Sequence, residues 1–502
     1  MPKVIINQFN GGLDEDVRSH NTTTFKDVAG FDTLTYKHRL APLGESESEA
    51  LTSGVITDKQ ITDINRDSSG YLTFFGRNSA GSPTVTNIFV KSSGTDISST
   101  LDSPGSDSAG AIYLQNSSAF YKSNYYYGLA SATGTVRKLV SGTWTASTSG
   151  SFPIVSYWSN EPGVRPVIHP ADDILYLARQ QYLAKVNGTT WSNISSVVIP
   201  STHIITSLTP YGNDLAIAAA PLYEGGGKSR VFIWSRDTSL STFRDNIDWG
   251  EDTLLILESM GGTLVGVSTS ESSISSSSSY TTYKTKKLIV RVLSGGQAIV
   301  LKEIIVPSTF TLKNFKARTA DKLYFGGDNG DALYVIKKNT DGTFTVAKDR
   351  FVNNGSAYTT LKGIGIYGDY LWTMFDTAGQ TGNIYRTKVT SSYTNTSFYE
   401  SNINPSMPLD DRIKLKSLIK VVVSTAPLPA NGSITVKYSV DGGAYETLFT
   451  ETTDNRITTF TDSDSTGAPL KDGYEYQFKI ESTGGAEVTE LRYEYKVIDL
   501  NV

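Results

Sequence analysis

Polar turns followed by a leucine and a run of small or aromatic apolar residues recur along the chain. "YGNDLAIAA" (211–219), "TADKLYFGG" (319–327) and "YGDYLWTMF" (367–375) share this shape. So do "SSGYLTFFG" (68–76), "ADDILYLA" (171–178) and "MGGTLVGVS" (260–268), with "SSAFYKSNYYYG" (117–128) as a looser copy. Aligned on Leu72, Phe120, Leu175, Leu215, Leu264, Leu323 and Leu371, the copies fall 40–59 residues apart. A four-stranded propeller blade takes about 40–50 residues.

The surroundings of each copy repeat as well. A β-rich run precedes the turn, as in "HIITSLTP" (203–210), and an alternating run follows, as in "SRVFIW" (229–234) or "DALYVI" (331–336). A fourth, more polar run carries an aromatic: "SGTWTAS" (141–147), "NGTTWSN" (187–193), "DGTFTVA" (341–347). Strand, tight turn, strand, hairpin, strand and strand make one blade. The leucine then falls on a strand covered on both faces by neighbouring blades. The Gly, Asn and Asp before it supply the positive-φ turn.

Near residue 405 the texture changes. "NINPSMPLDDR" (402–412) has prolines and no periodicity, which predicts a linker. Beyond it, "GSITVKYSVDGG", "YEYQFKIES" and "VTELRYEYKVI" alternate at period two. The fold class expected is all-β: an about seven-bladed β-propeller over 51–404, a β-sandwich over 405–502 and an extended N-terminal arm over 1–50. The Ser-rich run "SESSISSSSSYTTYKTKK" (270–287) predicts a rim loop and leaves the blade count open.

Composition narrows the function. There are no cysteines, so disulfides, thiolate metal sites and Cys nucleophiles are excluded. Net charge is −5 with scattered Lys and Arg, which gives no basic stripe for specific nucleic-acid binding. No apolar run reaches the ~18 residues of a membrane span. "MPKVIINQFNGGLDEDV" lacks a signal-peptide core, so synthesis in a cytoplasm without a signal peptide is expected.

Each chemical motif is outweighed by a plainer explanation. "GGGKS" (225–229) needs Gly at 222, where Leu stands, and a helix after Lys228, where "VFIW" reads as a strand. "WSNEPG" (158–163) is similar to a box of five-bladed glycoside hydrolases, with Glu161 in the nucleophile's place, but its second carboxylate is not identifiable. Glu161 is expected on a surface turn, with Arg165 as its partner. "DNGD" (328–331) and "DSDSTG" (462–467) complete no calcium loop. His20, His38, His169 and His203 have no zinc spacing, and no G-x-S-x-G elbow occurs. The glycosylation triplets, Asn187 and Asn431 among them, are accidents of an Asn/Ser/Thr-rich chain. The sequence offers no catalytic, cofactor-binding or metal residues, and no cofactor is expected.

"INQFNGGLDEDVRSHNTTTF" followed by "AGFDTLTYKHRLAPLGE" resembles the opening of structural tail proteins of tailed bacteriophages, of the propeller-bearing nozzle, tail-stabilisation or connector type. "SITVKYSVDGGAYETL" and "YEYQFKIES" before "LRYEYKVI" resemble their terminal sandwich. The resemblance implies a non-enzymatic virion tail subunit. It would assemble into a homo-oligomeric ring with other copies and neighbouring tail or connector proteins, through which DNA passes. The alternative is a glycan- or receptor-binding propeller at the tail tip or collar, with Tyr125, Tyr126, Tyr127, Trp144 and Trp191 as candidate sugar platforms and weak contact with host glycans. A glycoside hydrolase stands third.

Overall fold

The computed structural model describes residues 2–14, 24–43, 46–48, 59–66, 72–78, 86–91, 98–102, 119–122, 125–129, 135–140, 143–152, 163–188, 190–222, 227–270, 287–329, 332–351, 360–367, 370–377, 380–387, 396–461 and 468–498. Among these residues the fold is all-β apart from one short helix, Leu409–Arg412. The chain divides into two compact units, 47–330 with 356–386, and 1–46 with 331–355 and 387–502.

Seven four-stranded sheets occur among the described residues, numbered here in chain order. Sheet 1 begins with Lys59–Arg66, sheet 2 with Ala119–Tyr121, sheet 3 with Val167–His169 and sheet 4 with His203–Tyr211. Sheets 5, 6 and 7 begin with Thr253–Met260, Thr311–Arg318 and Thr360–Tyr367. Sheets 1 to 6 are meanders, their strands ordered as they follow in sequence. Sheet 7 takes its fourth strand, Ser46–Ser48, from the residues that precede sheet 1. Sheet packs on sheet in a closed order, with the first strand of sheet 7 against that of sheet 1. The arrangement is propeller-like.

The recurring leucines sit where a two-faced sheet needs them. Leu175, Leu215, Leu264, Leu323 and Leu371 each occupy the second position of the second strand of sheets 3 to 7, and all are buried. Leu72 opens the second strand of sheet 1. In Asp214–Pro221 ("DLAIAAAP") all eight residues are buried, and four are alanine. Covered on both faces, the strand shows a continuous apolar run in place of alternation. The turns before these strands carry the expected positive φ: Gly212 at 59°, Gly261 at 55° and Gly262 at 81°. Phe120 is out of phase with the series. It lies on the first strand of sheet 2, whose second strand is Tyr125–Leu129. The looser copy holds two aromatic runs, and the alignment took the earlier one.

The smaller unit is sandwich-like. One sheet orders Lys3–Ile6, Val488–Val497, Lys416–Thr425 and Ile457–Thr461, with Asp472–Gly473 alongside Lys416–Thr425. The other orders Phe25–Ala29, Ser397–Ser401, Tyr476–Thr483, Ser433–Val440 and Glu446–Glu451. Phe478 and Tyr493 meet between the sheets at 4.9 Å, and Phe449 and Phe460 at 6.0 Å.

The N-terminal segment differs from the extended arm expected over 1–50. Its described strands are edge strands of the sandwich: Lys3–Ile6 pairs with Val488–Val497, and Phe25–Ala29 with Ser397–Ser401. Phe9 and Phe25, both buried, pack against Tyr399 with ring centroids 5.5 and 5.6 Å away. Gly12 (φ +85°) lets Leu13 N–H reach Val346 O at 3.0 Å, where a Cβ on Gly12 would lie 2.8 Å from that oxygen. The pairing Lys3↔Glu494 joins opposite ends of the chain, so no local pattern announces it. Strand Ser397–Ser401 likewise belongs to the sandwich, ahead of the boundary expected at 405.

Phe9→Ala is expected to destabilise the sandwich by about 3–5 kcal/mol, the cost of emptying a buried aromatic site. Urea unfolding measures it, and an unchanged midpoint would mean that the segment is a loose arm.

Candidate functional site

One cluster of ionisable side chains joins three sheets of the cycle. The first strands of sheets 4, 5 and 6 bring together Ser207 and Thr209, Glu258, and Lys316 with Arg318. Lys316 is buried, and its Nζ donates to Leu257 O (2.5 Å), Leu208 O (3.1 Å) and Ser207 Oγ (3.3 Å). It also pairs with Glu258 Oε2 at 2.8 Å. The other carboxylate oxygen, Oε1, accepts from Thr209 Oγ1 at 3.0 Å and faces Arg318 Nη1 at 3.7 Å. Arg318 also donates to Ser259 O, and Arg165 Nη1 to Lys316 O, each at 2.5 Å.

Burial lowers the Lys316 ammonium below the ordinary lysine value, while Glu258 pulls it back up. A depressed lysine in an interior is one mark of a catalytic amine. The geometry here gives another account. Three N–H donors meet four acceptors from sheets 4 and 5, and no N–H is left for a substrate. The cluster fastens strands together.

A second lysine is treated the same way in the sandwich. Lys416 Nζ donates to the carbonyls of Tyr474 (2.6 Å), Lys414 (2.8 Å), Asp411 (3.0 Å) and Arg412 (3.2 Å). Asn404 serves the same loop. Its Nδ2 donates to Tyr474 O and Arg412 O, and its Oδ1 accepts from Tyr476 N–H. Tyr493 donates to Pro405 O and Tyr495 to Asp411 Oδ2. The stretch expected to be a linker is thus tied at many points. Asn404 (φ 46°) and Ser406 (φ 56°) are held in the left-handed region within it.

The motifs singled out in the sequence fall as follows. Lys228 leads into strand Ser229–Trp234 and faces Asp248 at 3.6 Å, so no helix follows it. Arg165 contacts Lys316 O, while Glu161 and the rest of 158–162 lie outside the described residues. Asp328 is taken by Lys313 (3.0 Å) and by Leu361 N–H (2.8 Å). Residues 462–467 lie outside the described set, as do 271–286 of the Ser-rich run and His20. His169 accepts from Ala171 N–H at Nδ1, so its Nε2–H donates to Asp214 O. Nε2 of His203 meets Lys228 O and Nδ1 meets Thr202 Oγ1, and burial lowers its ring pKa. His38 Nδ1 meets Asn7 O. Trp191 is buried edge-to-face on Phe152 at 6.1 Å, which is packing and not a sugar platform. The side chains of Tyr125, Tyr126, Tyr127 and Trp144 lie outside the described residues. Asn187 ends a strand, and Asn431 sits in a turn at φ 65°. Among the described residues no group of three or more His, Asp or Glu could hold a metal, and no helix is long and apolar enough to cross a membrane. Sequence reasoning missed Glu258, Lys316, Asn404 and Lys416.

No protein-family model and no curated protein sequence matches this chain. Among solved structures it is similar to YCF48 bound to a D1 peptide, at 12% identity over 73% of this chain and all of the other, with a TM-score of 0.45. It is also similar to BamB from Moraxella catarrhalis, at 10% identity over 78% of this chain and all of the other (TM-score 0.39). A sialidase from Trypanosoma rangeli matches at 10% identity over 91% of this chain and 95% of the other (TM-score 0.35). Likeness at this level carries nothing about function.

The sandwich has a pH signature. Burial pushes the Lys416 ammonium down to about 8, against the pull of Asp411, Asp441 and Glu475. A lysine depressed in the folded state gives stability that is complete above its unfolded value of 10.5 and lost as pH falls through about 8. Tyr476, Tyr493 and Tyr495 act oppositely: burial raises each above the usual 10.0, so their contribution is complete below pH 10 and lost above it. Stability in urea is therefore expected to rise from about pH 8 towards 10 and to fall beyond it. Lys416→Met should abolish the rise and leave the alkaline fall.

Proposed function

We propose that this chain is a non-enzymatic structural subunit of a bacteriophage tail, a seven-bladed propeller joined to a β-sandwich, which assembles into a ring with other copies and with neighbouring tail proteins. The observation that carries the reading is the use made of buried charge. Lys316 and Lys416, whose pKa values are depressed as those of catalytic amines are, spend their donors on main-chain carbonyls and on Glu258. They hold surfaces in shape. The N-terminal resemblance gives the setting.

A receptor-binding propeller at the tail tip or collar is the second reading. The exposed aliphatic side chains of Ile299, Val300, Ile305, Leu409 and Ile413 favour it, because they suit contact with a protein. A glycan site would call for aromatic platforms.

Negative-stain images and native mass spectrometry of the purified full-length chain test the two readings. Closed rings are expected. A monomer that binds a host surface receptor would move the second reading to first place. Hydrolysis of host polysaccharide that Glu161→Gln abolishes would overturn both.

A further inference from the structure

Asn-Gly pairs occur in the chain at Asn10, Asn187, Asn329, Asn354 and Asn431. Asn354 lies outside the described residues. Such a pair is a reactive junction, because glycine has no Cβ to screen its own N–H from the asparagine side chain. The glycine nitrogen attacks the asparagine Cγ. The N–Cγ bond forms, the Cγ–Nδ2 bond breaks, and the proton of the attacking nitrogen passes by way of water to the departing ammonia. Water then opens the cyclic imide. Opening at Cγ gives aspartate. Opening at the main-chain carbonyl gives isoaspartate, in which the chain runs on through Cβ and Cγ and is one atom longer.

The fold restrains the other described pairs. Gly432 N–H is spent on Pro429 O at 2.8 Å, with Asn431 at φ 65°. The Asn329 amide donates to Thr309 O at 2.9 Å. Asn187 closes a tight hairpin through its pairing with Thr190, and Gly188 is held at φ 60°. Asn10–Gly11 differs. It is a half-buried bend beyond strand Lys3–Ile6, and among the described residues no hydrogen bond engages the Asn10 side chain or the Gly11 N–H. On either side of it the chain is fixed. Phe9 is buried, and its N–H donates to Lys37 O at 3.0 Å. Gly12 O accepts from Phe25 N–H at 3.1 Å, and Leu13 N–H reaches Val346 O at 3.0 Å. Gly12 has no slack, since a Cβ there would lie 2.9 Å from Thr345 Cγ2. An added main-chain atom between these anchors must displace one of them.

We propose that Asn10 is a deamidation site, and that its isoaspartyl form releases the N-terminal segment from its docked position. The modification needs water and no enzyme, so it advances with time and with alkalinity. Aspartate at this position keeps the length of the chain between Phe9 and Gly12, and isoaspartate does not. The inference is independent of the chain's place in any assembly.

Ageing the purified full-length chain in mildly alkaline, heavy-oxygen water, then mapping its tryptic peptides by electron-transfer mass spectrometry, tests the site. The peptide 4–18 carries Asn10. Asn10 should take up the label about fivefold or more faster than Asn187, Asn329 or Asn431, the factor that one net hydrogen bond is worth, and isoaspartate should be among its products. An Asn10 that stays intact, or converts no faster than those three, would overturn the site. The urea midpoint of the aged chain should fall in step with the isoaspartate fraction. Asn10→Gln should keep its midpoint through the same ageing. Asn10→Asp, which adds the charge without the extra atom, should start at the wild-type value. Isoaspartate at position 10 with an unmoved midpoint, or an Asn10→Asp chain that starts as low as the aged one, would overturn the release.

Discussion

A sheet with two apolar faces needs a neighbour on each side, and a linear stack of such sheets always leaves two faces bare. That constraint governs the larger unit. Strand Asp214–Pro221, buried along its whole length, is the clearest case. Packing in a closed order, with the first strand of sheet 7 on that of sheet 1, removes the bare ends. Ser46–Ser48 completes the last sheet with residues from before the first. The clasp joins the two ends of the cycle, so separating them would break strand pairing as well as packing.

Buried charge follows from the same closure. Where the first strands of three sheets converge, main-chain carbonyls and a carboxylate are withdrawn from water, and Lys316 supplies the donors. The cost of burying an ammonium is offset only when every donor is satisfied. The caged Lys416 solves the same problem in the sandwich. Its four carbonyls come from the two strand connections that meet there, so one side chain fixes both. The protein uses ionisable groups as fasteners, and the connection that Lys416 holds exposes Leu409 and Ile413.

Much of the propeller-like sheet cycle was legible because its signals are local. A turn, a leucine and a doubly buried strand fit within nine residues, as in "YGNDLAIAA", and repeat. The phase slipped only at Phe120, where two aromatic runs compete. The N-terminal strands were not legible as part of the sandwich, because Lys3 finds its partner at Glu494. Of the charged cluster, nothing was legible. "NFKAR" does not distinguish a caged Lys316 from a solvated lysine, and the acceptors on Leu208 and Leu257 are main-chain oxygens that leave no mark in the sequence. "NINPSMPLDDR" reads as a linker for a similar reason. Its order comes from Lys416, Tyr476, Tyr493 and Tyr495, which lie on other strands.

The central claim is that the perturbed ionisable groups are structural. A double-mutant cycle on Glu258 and Lys316, read as stability in urea, tests it most directly. A structural pair should make Lys316→Met and Glu258→Gln each destabilising, Lys316→Met by about 3–5 kcal/mol, because each leaves a buried partner uncompensated. The double variant should recover a large part of the loss. Groups kept for chemistry are held at a cost to stability, and replacing them commonly stabilises the fold. A single variant as stable as the parent or more so, with no coupling in the cycle, would contradict the account.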